Sequence, residues 1–301
     1  MNDPVRLRVD DVLTELDIAD WHGPFAPATQ DEAVRTLEAG RVLFLPALAF
    51  RTLPEEAMFL TDTVAGGARK NVSLDPATGQ TGNVGLPADA AARLTAMIER
   101  FGRGAERLIA DLLPGYAASL ERARTSFRPT EIAGRTYSPR HDDRRLHVDA
   151  FPTRPMHGRR ILRLFSNVAA DGSPRAWRVG EPFESFARTF VPRIRPRPPG
   201  GAWLMHRLGL TKSRRSRYDH AMLRLHDLAK LDASWQAGAA RADVAFPAGC
   251  TWLCFTDQVL HAALAGNCAL EQTFHLPVEA MRTPATSPLR VLEAAAGRRL
   301  V

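Results

Sequence analysis

The chain has 301 residues, 45% of them hydrophobic and 24% charged, which suits a soluble globular protein with a sizeable core. Its three cysteines, Cys250, Cys254 and Cys268, have no CxxC or Cys/His finger spacing, which argues against a disulfide framework or a zinc finger and predicts free core thiols in a reducing compartment. The net charge is +7 and the pI about 10, yet the excess is local: nine basic residues and no acidic one lie between Arg188 and Arg217. Such a field usually faces phosphates, in nucleic acid or on an anionic membrane.

In chain order, Met1 to Leu13 is charged throughout and lacks the apolar stretch of a signal peptide. The longest apolar run, Val42 to Phe50, is broken by Pro46 and is far too short to span a bilayer. Thr29 to Glu32 fits a capping box and Gly40 a C-cap, which predicts a short helix between them and a buried strand over Val42–Leu45. Leu94, Met97, Ile98, Phe101, Leu108, Ile109 and Leu112 recur at helical spacing, predicting amphipathic helix from about Ala88 to Leu113.

After about Ser126 the character changes to short segments rich in β-branched and aromatic residues: 144–151, 160–168, 174–179, 243–246, 251–255 and 270–276. Turn residues such as Pro152, Gly158, Asp171-Gly172 and Pro247-Ala248-Gly249 separate them. Together they predict an α+β protein: a jelly-roll (double-stranded β-helix) core over 126–301, with a helical part over 1–125 packed on it as one domain. Helices expected at 181–190 and 218–231 interrupt the strands as a basic insert, about 181–235.

Within Leu146-His147-Val148-Asp149-Ala150, strand alternation puts His147 and Asp149 on one face and Leu146 and Val148 on the other. A third ligand has to come from elsewhere. His261 is the best candidate, following an apolar strand 112 residues after the carboxylate. Two histidines and one carboxylate on one face of an octahedron leave three positions open, the ligand set of iron(II) oxygenases. His275, on an expected strand, is a second candidate ligand or a pocket residue.

The stretch from Ser126 to Pro277 resembles the Kdo hydroxylases, iron(II)/2-oxoglutarate dioxygenases that act on the 3-deoxy-manno-octulosonic acid (Kdo) sugars of lipopolysaccharide. The residues that carry it are Phe127-Arg128-Pro129-Thr130-Glu131-Ile132, Arg145-Leu146-His147-Val148-Asp149-Ala150-Phe151-Pro152 and Gly158-Arg159-Arg160-Ile161-Leu162-Arg163. Further on come Phe165-Ser166-Asn167-Val168, Pro174-Arg175-Ala176-Trp177, Thr256-Asp257-Gln258-Val259-Leu260-His261-Ala262-Ala263 and Glu271-Gln272-Thr273-Phe274-His275-Leu276-Pro277.

The resemblance implies iron(II) as cofactor, with 2-oxoglutarate and dioxygen as co-substrates. It also implies a hydroxyl added at carbon 3 of a Kdo residue on Kdo-lipid A, giving the sugar called Ko. The wider superfamily places an Arg or Lys about ten residues after the distal His to grip 2-oxoglutarate, but Glu271 and Gln272 stand there. Some branches take the cation from the strand after the His-x-Asp pair, which favours Arg163, with Arg160 and Asn167 as further candidates. An anionic sugar on a phosphorylated lipid calls for arginines, and Arg128, Arg135, Arg145, Arg154, Arg159 and Arg175 are the candidates.

The basic insert, with its apolar Gly200–Met205 tip, suits an anionic membrane surface, here the cytoplasmic face of a Gram-negative inner membrane. Nucleic acid is the less favoured partner, because few aromatics interleave the arginines. A non-catalytic sugar-binding jelly roll is the alternative from another class.

Overall fold

The computed structural model describes residues 5–66, 71–198 and 200–301. Their strands are β1 (Leu13–Glu15), β2 (Val42–Leu45), β3 (Val72–Asp75), β4 (Gln80–Gly82), β5 (Glu121–Arg128), β6 (Arg160–Asn167), β7 (Arg175–Gly180), β8 (Arg241–Phe246), β9 (Thr251–Phe255), β10 (His261–Ala265) and β11 (Ala269–Leu276). The helices are α1 (Val9–Val12), α2 (Pro27–Glu38), α3 (Ala88–Leu112), α4 (Pro114–Ala117), α5 (Phe183–Phe190), α6 (Gly201–Arg207), α7 (Arg217–Leu231), α8 (Ala233–Gly238) and α9 (Pro288–Ala296).

The large sheet has the order β1-β2-β9-β6-β11-β5-β3-β4, antiparallel except for the β1–β2 pair, and a small sheet has the order β10-β7-β8. Strand alternation gives β6 two working faces. Leu162 and Leu164 point to the helices, while Phe165 faces the small sheet. Between the sheets Phe246 stacks on Trp252 at 4.1 Å and Phe165 stacks on Trp252 at 5.3 Å, with Trp177 edge-on to all three.

On the opposite face, α3 lays its apolar stripe against β5 and β11. Leu94, Met97, Ile98, Phe101, Leu108, Ile109 and Leu112 are fully buried there, each contributing about 1.5–3 kcal/mol. Gly102 makes that approach possible, since a Cβ at this position would meet Arg122 Nη2 at 2.2 Å and Thr125 Oγ1 at 2.7 Å.

Several elements depart from the expectations. Helix α2 begins at Pro27, not Thr29, because proline's fixed φ suits the first helical position, and no side chain caps it. Residues 144–151 are not a ladder strand; their sheet-type pairing is the isolated bridge His147↔His261. The first 125 residues are not purely helical: they supply β1 to β4 and most of β5, so a division at 125/126 falls inside a strand. The mixed α and β content and the helices between β7 and β8 are present, and all three cysteines are free and buried. Among the described residues no helix is long and apolar enough to cross a membrane.

Arg160 belongs to the helix side of β6. Its guanidinium pairs with Asp257 Oδ2 at 2.7 Å, donates to Gln258 Oε1 at 2.7 Å and lies 3.9 Å from the Phe255 ring centroid. Arg160 and Asp257 are 0% and 2% exposed. Removing one member of a buried pair strands the other charge, so Arg160→Ala should lose about 3–5 kcal/mol in a urea unfolding titration.

Candidate metal centre

His147 and His261 are joined through their backbones: His147 N–H donates to His261 C=O at 3.1 Å and His261 N–H to His147 C=O at 2.9 Å. This single antiparallel pair sets the two imidazoles side by side, with ring centroids 4.6 Å apart. Asp149 is anchored by its own N–H to Thr256 C=O at 2.8 Å. One ligand atom from each of the three side chains can be chosen so that all lie within 4.8 Å of one another.

Both imidazoles are already oriented. His147 Nδ1 meets Arg145 C=O at 2.7 Å and His261 Nδ1 meets Val259 C=O at 2.9 Å, which leaves each Nε2 for a metal. Trp177 stacks on the His261 ring at 5.3 Å, so the aromatic core between the sheets fixes that ring from behind. His226 packs edge-on against His147 at 5.4 Å. Burial keeps both imidazoles neutral, with the two rings and Lys230 adding to the effect at His147, and neutral imidazole is the form that ligates.

Burial would raise the Asp149 carboxyl, but the Arg163 guanidinium beside it holds it well below the usual range. Arg163 is 3.1 Å from Asp149 Oδ2 and 3.0 Å from Glu271 Oε1, and Glu271 is in turn 2.6 Å from Arg128. A ladder of alternating charge, Asp149–Arg163–Glu271–Arg128, therefore runs along the inner face of the large sheet.

The donor set fits a divalent transition metal. Two imidazole nitrogens and one carboxylate oxygen converge at the head of a buried cavity. The cavity beside them, about 90 Å³, is lined by these three residues with Arg163, Glu271, Arg128, Arg135, Arg175, Phe165 and Trp177.

Of the sequence-derived candidates, His147, Asp149 and His261 come together. Arg128, Arg135, Arg163 and Arg175 line the cavity, and Arg154 lies in an adjoining recess. Arg160 does not belong to the site, because strand alternation turns it to the opposite face of β6. Asn167 braces a turn instead, donating to Ser173 and Phe246 carbonyls at 3.0 Å and accepting from Ala169 N–H. Arg145 donates to Lys230 C=O and Arg159 pairs with Glu121, both away from the metal cavity. His275 is no ligand; it lines the adjoining recess. Trp177 and Glu271 went unassigned as site residues, although Trp177 stands two residues from Arg175 on one strand, and that alternation is a usable signal.

Two facing sheets with a two-histidine, one-carboxylate centre on their inner side define the class of mononuclear non-haem metal oxygenases. A family model described as 3-deoxy-D-manno-oct-2-ulosonic acid (Kdo) hydroxylase matches residues 20–299. Among solved structures, the Kdo hydroxylase KdoO, a non-heme Fe(II) alpha-ketoglutarate-dependent dioxygenase, aligns in complex with alpha-ketoglutarate and Fe(III) at TM-score 0.93 and 44% identity. The alignment covers 96% of this chain and 97% of that one. Its cobalt(II) complex aligns at TM-score 0.94 and 45% identity, over 96% and 97% of the two chains. No curated protein matches. The chain belongs to the Kdo hydroxylase family.

Burial pushes the His275 imidazole down to about 4, with Arg159 adding to the effect and Glu121 opposing it. The folded state thus excludes a proton that the unfolded chain takes up near 6.5. The stabilisation from a neutral His275 is full above that pH and is lost as pH falls from about 6.5 to 4. Between pH 7 and 4.5, urea unfolding of the metal-free protein should show about 2 kcal/mol less destabilisation in His275→Gln than in wild type.

Proposed function

We propose that this protein is an iron(II)- and 2-oxoglutarate-dependent dioxygenase that hydroxylates carbon 3 of a Kdo residue on Kdo-lipid A, giving Ko, succinate and carbon dioxide. The observation that carries the reading is the convergence of His147, Asp149 and His261 in a chain of this family. The two facing sheets then correspond to a jelly roll, and the chain acts as one catalytic domain.

Iron(II) held by the three residues supplies, with 2-oxoglutarate and dioxygen, the oxidative decarboxylation that leaves one oxygen atom for the substrate. The remaining side chains position and neutralise. Arg163, shared between Asp149 and Glu271, keeps the ligand carboxylate ionised and oriented. Arg175 is buried without an ion-pair partner among the described residues, donating to Gly266 C=O at 3.2 Å. Burial and the nearby Arg128 lower its pKa to about 10, so an incoming carboxylate relieves an unfavourable buried charge. The Trp177 indole N–H, on the same face of β7, has no hydrogen-bond partner among the described residues either. Of the cavity cations, Arg175 with Trp177 is therefore the better receptor for the far carboxylate of 2-oxoglutarate, and Arg163 the alternative.

Anaerobic mixing with iron(II), 2-oxoglutarate and Kdo-lipid A, then admission of oxygen, should add one oxygen atom to the lipid by mass spectrometry. His147→Ala, Asp149→Ala and His261→Ala should each abolish the gain. Full activity of any one, at matched iron loading, removes that residue from the ligand set. Arg175→Ala should raise the KM for 2-oxoglutarate by about tenfold or more, as loss of a charge-assisted hydrogen bond does. A larger rise in Arg163→Ala reassigns the grip to that residue.

The segment between β7 and β8 is proposed to dock the enzyme on the cytoplasmic face of the inner membrane. Trp203, Leu204, Leu208 and Leu210 are all more than half exposed along and just beyond α6, beside Arg207, Lys212 and Arg214. Some of the basic residues have internal duties: Arg193 pairs with Asp232, and Arg197 and Arg215 donate to the carbonyls of Arg215 and Pro152. Each remaining cation near anionic lipid contributes about 1 kcal/mol, screened by salt. Flotation with phosphatidylglycerol vesicles should therefore weaken with salt and in the Arg207→Ser, Arg214→Ser, Arg217→Ser triple variant, while turnover of a soluble Kdo fragment persists.

A further inference from the structure

The metal cavity is too small for everything the reaction has to bring together. At about 90 Å³ it falls below the roughly 300 Å³ at which small-molecule sites begin. A second recess of about 440 Å³ adjoins it and shares three of its walls, Arg128, Arg163 and Glu271. An occupant of the recess is thus separated from the metal-ligating Asp149 by one side chain, Arg163.

The lining of this recess combines three kinds of group. Phe151 presents a half-buried ring, with the Arg163 guanidinium carbon 5.8 Å from its centroid and the His275 ring at 6.4 Å. Ser126, Thr153 and Thr273 supply hydroxyls. Arg154 and Lys212 supply cations, and neither has an ion-pair partner among the described residues, whereas Arg124 pairs with Asp75 and Arg128 with Glu271. Glu271, the carboxylate among the described lining residues, is already shared by Arg128 and Arg163. The recess is therefore left with uncompensated positive charge.

Lys212 has an unusual origin. It belongs to the segment between β7 and β8, and its N–H donates to Thr153 C=O at 2.9 Å, while Arg215 holds the neighbouring Pro152 carbonyl. The basic segment and the 152–154 loop thus form one rim, with the exposed Leu208 and Leu210 only a few residues from Lys212 in the chain.

We propose that this recess seats the ring of the acceptor sugar, with the sugar carboxylate on Arg154 and Lys212, one ring face against Phe151, and hydroxyls on Ser126, Thr153 and Thr273. The inference rests on the Kdo reading above and gives it a place: an aromatic wall, neutral hydrogen-bonding groups and two cations without partners suit an acidic polyol better than a neutral sugar or a bare phosphate. It also explains why one basic segment serves two ends. Its outer part faces the membrane, and its Lys212 end faces the sugar of a substrate whose lipid part stays in the bilayer.

The test is calorimetric titration of free Kdo into the full-length protein loaded with cobalt(II) and 2-oxoglutarate, alongside acceptor kinetics of the iron enzyme. Arg154→Met and Lys212→Met should each weaken Kdo binding by about tenfold or more and raise the acceptor KM with kcat largely kept. Arg154→Lys should bind within a few-fold of wild type, and Phe151→Leu should bind more weakly. The cobalt(II) absorption spectrum of each variant verifies that the fold and metal centre are intact. Mannose, which lacks the carboxylate, should not bind measurably, and inorganic phosphate should displace Kdo only at far higher concentration. Wild-type affinity in both Met variants, or displacement by phosphate at concentrations equal to Kdo, overturns the recess while leaving the function standing. Failure of the wild type to bind Kdo or to add oxygen to Kdo-lipid A overturns the sugar reading, and the recess proposal with it.

Discussion

The arrangement of this protein turns on two backbone hydrogen bonds between His147 and His261. They join residues far apart in the chain by one isolated bridge at the start of β10, in the small sheet. A single bridge is a weak piece of secondary structure, so its geometry depends on what surrounds it. Trp177 lies flat on the His261 ring, and Trp177 is locked against Phe165, Phe246 and Trp252 from both sheets. The aromatic core therefore does more than bury area. It transmits the spacing of the two sheets to the paired imidazoles.

A second constraint is electrostatic. The inner face of the large sheet carries Asp149, Arg163, Glu271 and Arg128 in alternation, each charge compensated by its neighbour at 3.1 Å or less. Such buried charges are costly unless paired, and this ladder pairs each of them without closing the cavity. Its ends differ: one reaches the Asp149 carboxylate beside the two imidazoles, while the other borders a recess with surplus positive charge. Arg175 stands apart from the ladder as a buried cation that, among the described residues, has no ion-pair partner and donates to Gly266 C=O. Three differently charged neighbourhoods thus adjoin one another in the described residues.

Much of the candidate site is legible in the order of residues alone. His-x-Asp with a later histidine at a strand end is a chemical pattern, and coordination chemistry restricts what such a set can do. The arginines are legible as a class but not as individuals. Arg160 and Arg163 are three residues apart on one strand, and a period of two sends them to opposite faces. Which face looks inward depends on which sheet lies over it, something no local pattern states. Asn167 is drawn towards the site by the same pattern, yet its amide braces a turn.

The amino-acid sequence by itself determined the apolar stripe of α3, the buried strands β2, β6, β9 and β11, the free thiols, the local concentration of positive charge and the three candidate ligands. These follow from residue chemistry and short-range periodicity, which act over a few residues. Only the tertiary structure decided that 144–151 is held by one bridge and not a ladder, that the first 125 residues complete the edges of the large sheet, and that Arg163 answers to Asp149 and Glu271 while Arg175 donates to Gly266 C=O. Pairings between segments a hundred or more residues apart are set by the closure of the two sheets around a shared core, a property of the whole chain.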